Sequence, residues 1–174
     1  MKEKIIKLMM ELVSLKSLTG TADENLASDY IYKFIRNLDY FKMHPEYCGN
    51  IPIEDDSKGR HIPYCFIRGK SGDTVILSGH FDVVDEADYG EAKEMAFTPG
   101  KELEMLLARN KMSKIQSADM KSGEWIWGKG TADMKGGVAI DLALVEEYSN
   151  QALKEELKGS VLFMAVPDEE SYSA

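Results

Sequence analysis

Cysteine is scarce in this chain: only Cys48 and Cys65 occur in 174 residues, with no Cys-x-x-Cys pairing. That excludes a disulfide framework of the kind that staples small secreted domains, and two free thiols are expected. Basic residues are in deficit, with 21 Lys and Arg against 30 Asp and Glu, a formal charge of -9 and a pI near 4.9. Phosphate backbones and anionic lipid surfaces need clustered cations, so neither nucleic acid nor a membrane is an expected partner. Long apolar runs are also missing; none approaches the roughly 20 residues that cross a bilayer. The opening Met1-Lys2-Glu3-Lys4-Ile5-Ile6-Lys7 alternates charge with apolar residues and does not resemble a secretion signal, so a cytoplasmic location is the expectation.

What is present suits one globular domain. Hydrophobic residues make up 44% of the chain, enough for one sizeable core and too few positions for two. Ile5, Ile6, Met9, Leu12 and Val13 recur at helical spacing. A second helix is predicted from Thr21 and Glu24, read as a capping box, with Leu26, Ala27, Tyr30, Ile31, Phe34, Ile35 and Leu38 on its apolar face. Pro and Gly punctuate residues 44–72, leaving Tyr64-Cys65-Phe66-Ile67 as a short strand. Thr74-Val75-Ile76-Leu77 reads as a strand buried on both faces. Residues 85–123, rich in Glu, Lys and Met, read as an insertion with one helix near Glu102 to Arg109. Glu124-Trp125-Ile126-Trp127 is expected to be a strand, followed by a glycine-bearing loop, a helix from about Gly136 to Tyr148 and a strand from Ser160 to Val166. Strand, helix and strand imply a parallel crossover.

Three segments with chemical potential each follow a strand-like run. In Gly79-His80-Phe81-Asp82, residues two apart face the same side, so Asp82 can orient the imidazole of His80 while Phe81 turns inward. Alone, His-x-Asp is also compatible with a structural histidine. Asp133, within Gly128-Lys129-Gly130-Thr131-Ala132-Asp133-Met134-Lys135-Gly136-Gly137, could bridge two cations or simply cap the next helix. The glycines match neither a Walker nor a dinucleotide motif, which excludes nucleotide binding. Glu169 and Glu170 follow the last strand; in extended backbone they point apart, so one could hold a metal while the other stays free as a general base. A solvated acidic turn is the alternative for that run. Lys129 and Lys135 read as local ion-pair or structural lysines, either of which could also assist a substrate carboxylate, and His44 and His61 as ordinary loop histidines. One imidazole with several carboxylates suits zinc, with cobalt or manganese as substitutes, and a bridging acid suggests two ions about 3.5–4 Å apart.

With these motifs in hand, the chain resembles the zinc-dependent exopeptidase and amidohydrolase family of aminoacylase, acetylornithine deacetylase, succinyl-diaminopimelate desuccinylase and carboxypeptidase G. The likeness spans nearly the whole chain. It includes Leu12-Val13-Ser14-Leu15-Lys16-Ser17, Ser78-Gly79-His80-Phe81-Asp82-Val83-Val84, the Gly-x-Gly-x-x-Asp-Met-Lys-Gly segment and the Glu-Glu pair. Asp88-Tyr89-Gly90-Glu91, Ala96-Phe97, Gly123-Glu124-Trp125 and Val166-Pro167-Asp168-Glu169-Glu170 most resemble the RocB-type arginine-utilisation branch. The resemblance implies an α/β fold with a mixed, largely parallel sheet flanked by helices, residues 1–174 forming the N-terminal part of one catalytic domain. It implies that His80 binds one zinc, Asp133 bridges two, Glu170 binds zinc, Glu169 is the base and Asp82 orients His80, with a cis peptide after Asp133. Small peptides or N-acyl amino acids would be the substrates, in arginine or amino-acid catabolism. Lys129 stands where the family usually has Arg. Family members continue beyond the position of Ala174 with a further acidic ligand, a lid and dimerisation domain and a late histidine. A catalytically silent metal-binding fragment is therefore the rival expectation, and an acidic interaction protein without metal a third. Oligomeric state is open.

Overall fold

A computed structural model describes residues 1–110 and 112–171. The chain enters through helix α1 (Lys2–Ser14), where Met9, Leu12 and Val13 are buried as the spacing predicts, together with Leu8, while Ile5 and Ile6 are only partly buried. Helices α2 (Glu24–Arg36) and α3 (Asp39–Met43) follow, then strands β1 (Cys48–Pro52), β2 (His61–Ile67) and β3 (Thr74–His80). Helices α4 (Lys101–Leu107), α5 (Lys114–Ser122) and α6 (Lys135–Leu153) lead to the last strand, β4 (Ser160–Val166).

These strands form one sheet in the order β1-β2-β4-β3. It is mixed, as expected, but the parallel share is smaller than the largely parallel sheet anticipated. Both β1–β2 and β2–β4 are antiparallel, and only β3–β4 is parallel. The parallel crossover through α6 therefore starts from β3. Residues 124–127 form no strand: Glu124 N–H donates to Ser122 Oγ (3.2 Å), closing the turn after α5, and Trp125 is exposed. β-propensity alone does not make a strand; pairing and packing against neighbours decide it.

Burial alternates along β2 and β4. Cys65, Ile67, Val161, Phe163 and Ala165 lie beneath α2 and α6, while Tyr64, Phe66, Leu162 and Met164 on the other face are partly covered. This helix-covered face, extended by Leu12, Ile31, Phe41 and Leu142, is the core. β3 lies at the sheet edge, so Val75 and Ile76 are 61% and 62% exposed, correcting the expectation of burial on both faces. Its other end, at Gly79 and His80, is buried.

Two elements escaped the sequence reading. β1 and the first half of β2 were hidden by Pro52 and Pro63, because proline in a strand interior removes a ladder donor. Pro63 precedes the first β2–β4 pair, Tyr64 with Met164, so it costs no pairing with β4. Helix α5 begins with a capping box: Ser113 Oγ accepts from Gln116 N–H, and the Gln116 side chain accepts from Ser113 N–H. The expected box at Thr21 and Glu24 does not form, because Glu24 is fully buried and bonded elsewhere. Leu26, expected on the apolar face of α2, is exposed.

On α6, burial pushes the Asp141 carboxyl up to about 6. Between its ordinary value of 3.8 and about 6 the folded chain holds a proton that the unfolded chain has lost, so stability falls as pH rises through that window. Asp141→Asn should therefore raise the unfolding free energy measured by urea titration at pH 7 by on the order of 1 kcal/mol once solvent screening is allowed for, and leave it unchanged at pH 3.5.

Candidate metal centre

The parallel register places the last residue of β3, His80, beside the last of β4, Val166. Pairing continues one step further through Phe81 N–H to Val166 O (3.1 Å). Phe81 is fully buried, and the period-two alternation turns His80 and Asp82 to the same side. His80 Nδ1–H donates to the Asp82 carbonyl oxygen at 3.1 Å and lies 3.4 Å from Asp82 Oδ1.

Asp82 is itself held from behind. Residues 17–19 run alongside 81–83: Ser17 Oγ donates to Phe81 O (2.6 Å), Val83 N–H to Ser17 O (3.0 Å) and Thr19 N–H to Val83 O (3.1 Å). This brings Thr19 Oγ1 to within 3.0 Å of Asp82 Oδ2, which also accepts the N–H of Glu170 at 3.1 Å. Burial opposes ionisation of Asp82, but the His80 ring and these donors outweigh it and hold the carboxyl below its ordinary range.

Asp133 arrives from the glycine loop before α6. Gly130 adopts φ +80°, which favours glycine, and Lys135 N–H donates to its carbonyl (2.9 Å). At Gly136 a Cβ would lie 2.3 Å from the Thr131 carbonyl oxygen, so only glycine lets the helix start lie against the loop. The Asp133–Met134 peptide is cis, as the family resemblance implied. Asp133 does not cap α6; Met134 occupies that position and no side chain caps the helix. Lys135 is buried, its Nζ donating to Leu15 O (2.6 Å), and burial lowers its pKa to about 7.

After β4 the backbone is not extended. Asp168 adopts φ +63° and residues Glu169–Ser171 form a 3-10 turn. The extended backbone on which Glu169 and Glu170 were expected to point apart is therefore not adopted, and both carboxylates lie near His80. His80 Nε2 lies 3.0 Å from Asp133 Oδ1 and 3.7 Å from Glu169 Oε2. His80, Asp133 and Glu170 each offer a donor atom, all within 4.8 Å of one another.

Positive charge among these carboxylates eases their mutual repulsion. In the bare protein a proton supplies it: burial disfavours the charged ring, but the bonds to Asp82 and Asp133 prevail and push the His80 pKa up to about 9. Burial and the neighbouring Asp133 shift Glu170 upward. With Nδ1–H committed to Asp82, the remaining nitrogen and the oxygens around it form a donor set that fits a borderline divalent cation. Asp82 Oδ1, the one buried side-chain oxygen without a hydrogen-bond partner among the described residues, is left to the field of that charge.

A cavity of about 440 Å³ adjoins the centre, lined by Val83, Asp88, Tyr89, Lys129, Asp133 and Glu170. Lys129 Nζ donates to Asp88 (2.9 Å) and lies 5.7 Å from the Tyr89 ring centre, a local ion pair as anticipated. His44 packs against Tyr40 and Tyr47, and His61 contacts Asn25, so neither joins the centre. Sequence reading missed Ser17, Thr19 and Glu24 as supports; Thr21 with Glu24 was a local signal, but it was assigned to the wrong bond.

A family model for Peptidase family M20/M25/M40 matches residues 76–174, and the chain belongs to that family. It is 38% identical over 171 residues to Protein RocB and 35% identical over 171 residues to the uncharacterised protein YqjN, both of Bacillus subtilis. Each match covers 97% of this chain and 30% of the relative, so the chain spans about a third of the length of these relatives. An M20 family metallo-carboxypeptidase from Sulfolobus solfataricus superposes with a TM-score of 0.64 at 18% identity, covering 98% of this chain and 32% of that one, a likeness of fold.

Because Asp82 joins the His80 ring to the Glu170 backbone, Asp82→Ala should weaken divalent-metal binding by about 10–100-fold, measured by competition with a chromophoric chelator.

Proposed function

We propose that this chain carries the N-terminal part of a single zinc-hydrolase catalytic domain that cleaves an amide or peptide bond, with residues 85–123 as an insertion. The gathering of Asp133, Glu169 and Glu170 around His80, at the carboxyl ends of adjacent parallel strands, carries this reading. Ligand sites in open α/β sheets favour that location.

In this reading His80, Asp133 and Glu170 hold zinc, for which cobalt or manganese could substitute, and Asp133 has the second oxygen needed to bridge two ions. Bound there, the cation would supply Lewis acidity, lowering the pKa of water and polarising a carbonyl. Asp82 keeps the His80 ring in the tautomer that leaves Nε2 free. Glu169, half exposed beside the centre, takes a proton from water and returns it to the departing amine. Small peptides or N-acyl amino acids are the proposed substrates, and the similarity to RocB supports a place in arginine or other amino-acid catabolism. No helix among the described residues is long and apolar enough to cross a membrane. A cytoplasmic location without a nucleic-acid partner accords with the acidic charge.

The rival reading, a metal-binding segment without turnover of its own, is favoured by one observation: the relatives are about three times as long. Hydrolysis of dipeptides and N-acyl amino acids, abolished by a chelator and restored by zinc, separates the two. Glu169→Ala should lower kcat by about 10²–10⁴-fold while zinc stoichiometry is retained. Near-normal turnover would remove Glu169 as the base. In His80→Ala, metal analysis should find depleted zinc, and unchanged stoichiometry would remove His80 from the ligand set.

A further inference from the structure

Behind the acidic turn lies a second ionic cluster that the hydrolase reading does not use. Arg60, immediately before β2, has a side chain only 11% exposed and three carboxylates around its guanidinium. Nε and Nη2 donate to the two oxygens of Asp56, each at 3.0 Å. Nη1 donates to Glu24 Oε1 at 3.1 Å and lies 3.0 Å from Asp168 Oδ1. Asp168 is the residue directly before Glu169.

Glu24 reaches the same residue through its backbone. Its Oε2 accepts the Asp168 N–H at 2.8 Å, and its Oε1 accepts the Gly20 N–H at 2.8 Å. Asp168 Oδ1 also accepts from Ser171 Oγ at 2.6 Å. These contacts hold Asp168 in the left-handed region, at φ +63°, which a non-glycine residue keeps only when its surroundings compensate. The chain then turns so that Glu169 and Glu170 face His80.

As a source of stability this arrangement is poor. Burying several charges costs desolvation that apolar packing would avoid, and burial pushes the Glu24 carboxyl above its ordinary range. As a source of geometry it is effective. The turn has one fastening at the centre itself, Glu170 N–H to Asp82, about which it could pivot. The bonds at Asp168 supply a second, two residues earlier, which removes that freedom. Metal and catalytic groups need placement to within about 0.5 Å.

We propose that Arg60 and Glu24 are positioning residues that brace Asp168 and thereby set Glu169 and Glu170 against His80 and Asp133. The purpose of the brace rests on the metal-hydrolase reading; its existence does not, and the two are tested separately.

Arg60→Lys keeps the charge but cannot span three carboxylates, and Glu24→Gln keeps the shape while replacing one acceptor oxygen by a donor. In the metal-free protein, hydrogen exchange at the Asp168 and Glu170 amides should accelerate by about tenfold or more in both variants, with the far-UV circular dichroism of the parent retained. Zinc affinity should fall about 10–100-fold, the cobalt(II) absorption band should change, and any hydrolysis should lose kcat with little change in KM. Asp168→Asn preserves the oxygen that accepts from Arg60 and tolerates the left-handed backbone, so it should stay close to the parent. Folded Arg60→Lys and Glu24→Gln proteins with parental amide exchange, zinc affinity and cobalt spectrum would overturn the brace. If Arg60→Lys does not fold, Glu24→Gln is read by the same outcomes. If neither folds, they are read on Asp168→Ala, which leaves Arg60 paired with Asp56 and Glu24. Failure of the parent to take up zinc would instead overturn the metal reading, leaving amide exchange to decide the brace.

Discussion

Repulsion among carboxylates is the constraint on which the rest of this structure turns. Asp133, Glu169 and Glu170 gather around His80, with Asp82 behind the ring. Like charges brought this close oppose each other, the more so where they are shielded from water. Positive charge at the middle relieves that repulsion. The bare protein places a proton on His80, and the same donors would accept a divalent cation in its stead. A solvated acidic surface would let these side chains separate; here backbone geometry holds them together.

That geometry comes from strand order. Because β4 lies between β2 and β3, the end of β3 and the turn after β4 emerge side by side, and the crossover through α6 returns its glycine loop to the same end. Buried polar side chains concentrate there: Ser17, Glu24, His80, Asp82 and Lys135. Each is costly to bury unless bonded, and the bonds they make run to backbone groups of the loops that carry the acids or lie beside them. The other end of β3, where Val75 and Ile76 meet solvent, has a buried Ser160 opposite Thr74, its Oγ accepting from Gly69 N–H.

The legible part of the site was local. His80 and Asp82 share a side because alternation in extended backbone is set by two residues of spacing. The glycines around Asp133 announced a close approach before the next helix. Helices α1, α2 and α6 were visible in their apolar periodicity, and β4 in its apolar run. Where local rules misled, a long-range partner had prevailed. Pro63 was acceptable in β2 because β4 pairing begins one residue later, and residues 124–127 run on from the turn that closes α5 without pairing to a strand. Glu24 abandoned a capping box for Arg60 and the Asp168 amide. The capping box of α5, by contrast, was available at Ser113 and Gln116 and was passed over.

The sequence by itself determined which chemical groups were available, and residue spacing determined how neighbouring ones could face. It identified the family through His80, Asp133 and the Glu169–Glu170 pair, since donor atoms and glycine backbone freedom are properties of residue types. Tertiary structure alone decided that Glu169 and Glu170 would both turn toward one imidazole. That outcome depends on a left-handed backbone at Asp168, held by a carboxylate from Glu24, 144 positions earlier in the chain. No local pattern encodes such a contact, because its geometry exists only once the sheet has set the register between the strands.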